Sequence, residues 1–272
     1  MNPQRWPVVL VGAGPGDPDQ LTLAAVREIA LADVILVDDL VDPRVLEHAR
    51  AGARICRVGK RGGGRSTPQA FIDRLMVRES LAGHRVVRLK GGDPLVFGRA
   101  GEEIAALRAA GIEVRIVNGV SSALAAASAL QMSLTHRDHG QGVVFVTGHP
   151  KDGGAAADWA ALARSGFTLA IYMGLTRLPE IRAALLDAGL DPAMPAAAVQ
   201  QAGGGDQRSL TSTVALLADD VRAAGLRSPV MVFIGRVVAT ATQFQSIKPD
   251  DARRPVSGTA GRSASAARAS LC

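Results

Sequence analysis

Short runs built almost wholly from apolar, mostly β-branched residues recur along this chain, separated by longer amphipathic stretches. In the first half the runs are Pro7–Val11, Val34–Val37, Ile55–Val58, Val86–Leu89 and Val114–Val117. A strand that shows water no polar face belongs in a sheet covered on both sides. Between the runs lie Thr22–Ala30, Pro68–Ala82, Glu102–Ala110 and Ser122–Leu130, which read as helices. Thr67 can cap the second of these and Pro68 suits its first position. The alternation predicts an α/β fold with a mostly parallel sheet. A polar break at Leu134–Gly142 follows, and the alternation then resumes with strands at Val143–Thr147, Thr168–Met173, Ala196–Val199 and Val230–Ile234. Helical segments there are Trp159–Ala163, Leu178–Ala188 and Thr213–Ala224. The chain therefore reads as an N-terminal α/β lobe over 1–137 and a C-terminal α/β lobe over 138–248. The tail 249–272, rich in Ser, Ala, Arg and Gly without periodicity, reads as disordered.

Aromatics make up only 3% of the 272 residues, so the core has to come from Val, Leu, Ile and Ala. No apolar run approaches the roughly 18 residues of a membrane span, and Met1–Trp6 lacks the pattern of a signal peptide. Cys56 and Cys272 form no CxxC, which argues against a structural disulfide or a cysteine zinc site and makes a reducing cytoplasm the default. His136, His139 and His149 are scattered, so no metal site is expected. The formal charge of +6, part of it from the tail, favours an anionic partner without choosing one. Without aromatic interleaving or a recognised module, nucleic acid is not the expected partner.

Two glycine loops follow predicted strands. Gly12-Ala13-Gly14-Pro15-Gly16-Asp17-Pro18 allows a close backbone approach. Asp38 or Asp39 follows about twenty residues on, as in nicotinamide sites. The third glycine of that fingerprint, however, is replaced by Asp17, which opposes an oxidoreductase. The denser segment runs from Arg88 through Gly91, Gly92, Asp93 and Val96 to Arg99, at a strand end where ligands of α/β sheets bind. Asp93 can accept hydrogen bonds from a ligand or serve as a turn residue.

In these segments the chain resembles the uroporphyrinogen-III C-methyltransferases of the tetrapyrrole methylase superfamily. The matching stretches, in order, are VGAGPGDPDQLTL from Val11, ADVILVDDLV from Ala32, VGKRGG from Val58, VVRLKGGDPLVFGRAGEE from Val86, LTHR from Leu134, VTGH from Val146, IYMGLTRLPEI from Ile171 and RSPVMVFIG from Arg227. The stretch from Val86 to Glu103 and VGKRGG carry most of the specificity, and they argue against a later corrin methylase or a ribose methylase.

The resemblance implies two α/β lobes with a cofactor cleft between them, a homodimer, and S-adenosyl-L-methionine as cofactor, released as S-adenosyl-L-homocysteine. It implies cofactor contacts at Pro15, Gly91, Gly92, Asp93, Val96, Ser121, Ser122, Met173 and Ala202. It puts the candidate base on Asp38 and the candidate proton donor on Lys60. On sequence alone Asp38 and Asp39 are ambiguous, and the family register favours Asp38. Read without the family, the two aspartates fit a solvated loop, Lys60 a surface cation, Met173 a core residue and Ser121 and Ser122 helix caps. The implied substrate, uroporphyrinogen III, carries eight carboxylates, which Arg61, Arg65, Arg99 and Arg137 suit. Two methylations, at C-2 and C-7, would give precorrin-2. The chain departs from the family pattern at Asp39, at Asn118 (commonly Pro), at Gln131-Met132-Ser133, at Ala202 (commonly Gly) and at Arg236 (commonly an acid).

Overall fold

The computed structural model describes residues 6–61, 65–149 and 154–241, except for the side chains at 60, 61, 65 and 66. The tail predicted over 249–272 lies outside the described residues. The chain forms two units, one ending at Ser121 and the other starting at Ser122.

The first unit holds β1 (Val8–Gly12), α1 (Leu23–Leu31), β2 (Val34–Val37), β3 (Arg54–Arg57), the short hairpin β4 (Lys60–Arg61) and β5 (Arg65–Ser66), α2 (Gln69–Leu81), β6 (Val86–Lys90), α3 (Ala100–Ala109) and β7 (Val114–Val117). Its main sheet has the order β3-β2-β6-β1-β7, and every pairing is parallel, as the apolar runs predicted. Side-chain alternation splits each strand between two cores. Val8, Leu10, Val34 and Leu36 pack with Ile72, Leu75 and Met76 of α2 and Leu107 of α3. Val9, Val11, Ile35 and Val37 pack with Ala25 and Ile29 of α1 on the other face. Each such large aliphatic side chain, fully buried, contributes about 1.5–3 kcal/mol. The connections leaving the neighbouring strands β1 and β6 thus run to opposite faces. The loops that follow them start above the strand ends, where such sheets bind ligands.

The second unit holds α4 (Ser122–Ala129), β8 (Val143–Thr147), α5 (Trp159–Arg164), β9 (Thr168–Tyr172), α6 (Leu178–Asp187), β10 (Pro195–Gln200), β11 (Arg208–Thr213), α7 (Leu217–Ala223) and β12 (Val230–Ile234). Its sheet has the order β11-β10-β12-β9-β8. Only β8 and β9 pair in parallel; the other three pairings are antiparallel. The loop 201–207 is too short for a crossover, so β11 must return antiparallel to β10.

Three expectations need correction. The division falls after Ser121 rather than after 137, because the small residues of α4 pack on β12. Residues 208–213 are a strand, where the sequence reading placed no element before a helix starting at Thr213. Only Leu210 and Ser212 are buried there, and the strand owes its place to pairing with β10. Thr67 does not cap α2; its hydroxyl donates to the carbonyl of Gly59, and Pro68 takes the cap position. Among the described residues no helix is long and apolar enough to cross a membrane.

Candidate active site

At the C-terminal ends of β1, β6 and β7 three glycines let three backbones touch. A β-carbon on Gly12 would sit 2.5 Å from the Gly119 nitrogen and 2.7 Å from the Gly92 oxygen. One on Gly119 would collide with the Gly92 carbonyl and sit 2.9 Å from Gly12 Cα. Gly14 and Gly92 exchange hydrogen bonds, 3.2 Å from Gly14 N to Gly92 O and 2.7 Å from Gly92 N to Gly14 O. Both have positive φ (72° and 66°), which a side chain would strain. The bridge brings the loop carrying Pro15 against the loop carrying Gly91, Gly92, Asp93 and Val96.

Asp93 ties this arrangement to the end of β7. Its Oδ1 accepts from Leu95 N at 2.8 Å, and its Oδ2 accepts from Asn118 Nδ2 at 3.0 Å and from Gly119 N at 3.2 Å. Asp93 is therefore a turn residue, and it still has an acceptor position to spare, because a carboxylate offers about four. Asn118, which replaces the usual proline, supplies one of these bonds. Ser121, buried, closes the segment after Gly119. Asp17 accepts from Asp19 N at 3.0 Å and caps the short turn Pro18–Gln20, so the position of a dinucleotide-binding glycine is spent on capping.

The two aspartates after β2 part company. The Asp39 side chain fills the space beside Gly59, where no β-carbon would fit. Asp38 turns toward the α2/α3 face of the sheet. There its Oδ1 accepts from Arg88 Nη2 at 2.6 Å, and its Oδ2 lies 3.7 Å from Lys90 Nζ. Arg88 Nε donates to Glu103 Oε1 at 2.9 Å, and Lys90 Nζ donates to the same oxygen at 3.2 Å. Gln69 Nε2 of α2 donates to it as well, at 3.2 Å. Arg88, Lys90 and Glu103 are buried, while the Asp38 side chain keeps 30% of its surface exposed. For Lys90, burial first and the neighbouring Arg88 second push its pKa below the usual value, against the pull of Glu103 and Asp38. For Arg88, burial opposes the charge, but Asp38 and Glu103 outweigh it and raise the pKa further.

The other predicted residues are more dispersed. Lys60, Arg61 and Arg65 lie on the β4–β5 hairpin, where Arg61 stands opposite Arg65 in register; their side chains are outside the description. Arg99, at the start of α3 with φ 57°, grips Glu102 through two bonds of 2.9 and 2.7 Å. This hydrogen bonding to Glu102 is the main reason its pKa is raised. In the second unit, Ser122 opens α4, and Met173 and Ala202 follow β9 and β10, two strands running the same way. Met173 has a φ of 53° and stays half exposed, whereas Ala202 is buried. A strained non-glycine backbone such as that of Met173 is a common mark of a functional position. Arg137 is exposed on a turn closed by bonds between His136 and Gly140, and has no ion-pair partner among the described residues.

The family model described as Tetrapyrrole (Corrin/Porphyrin) Methylases matches residues 7–218. The chain belongs to this family. Among its relatives, a uroporphyrinogen-III C-methyltransferase of Pseudomonas aeruginosa is 53% identical over 230 residues, covering 85% of this chain and 93% of that protein. A siroheme synthase of Methylococcus capsulatus is 47% identical over 232 residues, but that is 49% of its length, so the chain spans about half of the synthase. The crystal structure of uroporphyrin-III C-methyl transferase from Thermus thermophilus, complexed with S-adenosylhomocysteine, superposes with a TM-score of 0.74 at 39% identity. The match covers 86% of this chain and all of that one. A cobalt precorrin-4 methyltransferase gives 0.76 at 29% identity, over 85% of this chain and 95% of its own. The α/β fold with two sheets that the resemblance implied is the one observed.

For this tetrapyrrole methylase, sequence reasoning overlooked Arg88, Lys90, Glu103 and Gln69 as a group. The signal was there: charges at 88 and 90 share one face of an otherwise apolar strand, and a charge within such a strand needs a buried partner.

Proposed function

We propose that this chain transfers methyl groups from S-adenosyl-L-methionine to C-2 and C-7 of uroporphyrinogen III, giving precorrin-2 and two molecules of S-adenosyl-L-homocysteine. The observation that carries the proposal is the 53% identity to a uroporphyrinogen-III C-methyltransferase over nearly that protein's whole length. The cofactor assignment draws on the Thermus thermophilus structure that holds S-adenosylhomocysteine. The local chemistry fits as well. Bare backbone at Gly91 and Gly92, and the spare acceptor position on Asp93, suit the hydroxyl and amino groups of an adenosine. Pro15, Val96, Ser121, Ser122, Met173 and Ala202 are the remaining contacts proposed.

When bound, the cofactor supplies an electrophilic methyl group on a sulfonium. Asp38 then presents a carboxylate that can stabilise positive charge on a methylated ring and take the proton the ring must lose. Lys60 is the proposed proton donor. Arg61, Arg65, Arg99 and Arg137 are proposed to hold substrate carboxylates; Arg99 keeps free donors beyond the two that Glu102 occupies. Positioning of this kind lowers the barrier by several kcal/mol without any metal. A homodimer and a cytoplasmic setting belong to the same proposal. A porphyrinogen is a reduced macrocycle and suits a reducing compartment.

Anaerobic incubation with uroporphyrinogen III and S-adenosylmethionine, followed by mass spectrometry, tests the reading. Two successive methyl additions are expected. An active preparation that leaves uroporphyrinogen III unchanged but methylates a corrin intermediate would move the assignment to another member of the family.

A further inference from the structure

Arg88 and Lys90 lie side by side in a strand whose remaining residues are apolar, packed against the aliphatic core of α2 and α3. Placing two cations there is costly, and valine or leucine would pack at either position without that cost. The geometry suggests what they do. The Arg88 guanidinium is anchored on three sides: by Glu103 at 2.9 Å and by the carbonyls of Leu36 and Leu89, each at 3.4 Å. One of the two donors on Nη2 points at Asp38 Oδ1, 2.6 Å away. Lys90 spans the same two carboxylates, close to Glu103 and 3.7 Å from Asp38 Oδ2. Gln69 braces Glu103 from α2.

We infer that Arg88 is a positioning residue, with Lys90 in support: Arg88 pins Oδ1 of Asp38 so that Oδ2, the less tightly held oxygen, is the one that receives the ring proton. This rests on the reading of Asp38 as the base. In the step, the ring carbon forms a bond to the methyl as the methyl–sulfur bond breaks, and becomes quaternary. A C–H bond of the neighbouring bridging methylene (or the ring N–H) then breaks, its electron pair neutralises the cationic ring, and the proton goes to Oδ2. The cluster of two cations and two carboxylates then carries one net positive charge. Asp38, with 30% of its side-chain surface exposed, can pass the proton to water, which readies the same carboxylate for the second methylation.

The test is a double-mutant cycle on turnover, with KM and the S-adenosylhomocysteine dissociation constant measured alongside. Asp38→Ala is expected to lower kcat by about 100-fold, the low end for a general base. Arg88→Lys keeps the charge but cannot span both carboxylates; it should lower kcat by about tenfold, as misplacement of a catalytic group does. KM and cofactor-product affinity should stay within about threefold. On the Asp38→Ala background, Arg88→Lys should cost nothing further, because a positioning residue has nothing left to position. The same tenfold loss on both backgrounds, or an unchanged kcat for Arg88→Lys alone, overturns the inference. A normal kcat for Asp38→Ala would instead defeat the reading of Asp38. Should Arg88→Lys not fold, Lys90→Gln enters the same cycle: a loss of about fivefold that vanishes without Asp38 supports the arrangement, and a loss that persists or never appears refutes it.

Discussion

Replacing Glu103 with glutamine should destabilise the first unit by about 3 kcal/mol at neutral pH, and the penalty should shrink in alkali. Glu103 has no exposed surface and faces Arg88 Nε at 2.9 Å and Lys90 Nζ at 3.2 Å. The wild-type cluster balances two cations against Glu103 and Asp38. Glu103→Gln leaves one buried positive charge unbalanced. Removing one partner of a buried pair costs roughly 3–5 kcal/mol. The lower end applies because the amide oxygen can still accept from Arg88. Its NH2 group, however, would take the place of Oε2, 3.2 Å from the Lys90 ammonium. The pH dependence follows from Lys90, whose pKa already lies below 10.5, through burial first and Arg88 second. Between the folded and unfolded values the unfolded chain binds more protons, so stability rises with pH across that window. Loss of Glu103, which supports the Lys90 charge, extends the window downward, so recovery should begin at lower pH in the variant. Trp6 lies in the first unit and Trp159 in the second. Urea unfolding followed by fluorescence in a Trp159→Phe background therefore isolates the relevant transition. A penalty under about 1 kcal/mol, less than a buried pair should cost, or one that does not narrow between neutral and alkaline pH, would refute the charge-balance reasoning.

Two further outcomes are expected. Gly119→Ala pushes a β-carbon into the backbone of Gly92 and Gly12; it should cost about 1–3 kcal/mol, as overpacking does, and weaken S-adenosylhomocysteine binding measured by calorimetry, so an unaffected affinity would argue against a cofactor at this turn. Glu79 is buried, but hydrogen bonds from Arg54 and Arg78 outweigh the burial that opposes its charge and hold its pKa below 4.5; its stabilisation is present above the unfolded value and is lost as pH falls through the folded one. Glu79→Gln should therefore lower stability at pH 7 by about 1–2 kcal/mol, discounted because the partners reach solvent, and should flatten the acid side of the melting-temperature profile. An acid side as steep as that of the unsubstituted protein would contradict this.

Much of the fold could be read from the chain because strands buried on both faces announce themselves as apolar runs. β1 and β2 follow this rule, and β6 does so apart from its two charges; β7, at the sheet edge, is only partly buried. β11 breaks it: RSLTST has a single large apolar residue, and its place depends on six register pairs with β10, the strand before it across the loop 201–207. The assignment of α4 escaped for a related reason. An alanine-rich helix packs as well on one sheet as on another, so its residues do not name their partner, and the contact with β12 does.

The site divides along the same line. The glycines at 12, 14, 92 and 119, the acid at 93 and the LKGGDP segment were legible because a tight turn at a strand end demands particular residue types in particular order. Through these and the other matching stretches the resemblance to the family was visible in the sequence. Which of Asp38 and Asp39 faces the sheet interior was not legible, because adjacent residues at a strand end turn to opposite sides and nothing in the letters says which side is which. Nor was the meeting of Arg88, Lys90, Glu103 and Gln69. Each is an ordinary charged or polar residue in its own segment, and only the packing of α2 and α3 against β6 removes water from around them and makes each the other's counterion. Local backbone demands are written residue by residue; the energy of a charge depends on what surrounds it, and that is decided only when the chain has closed.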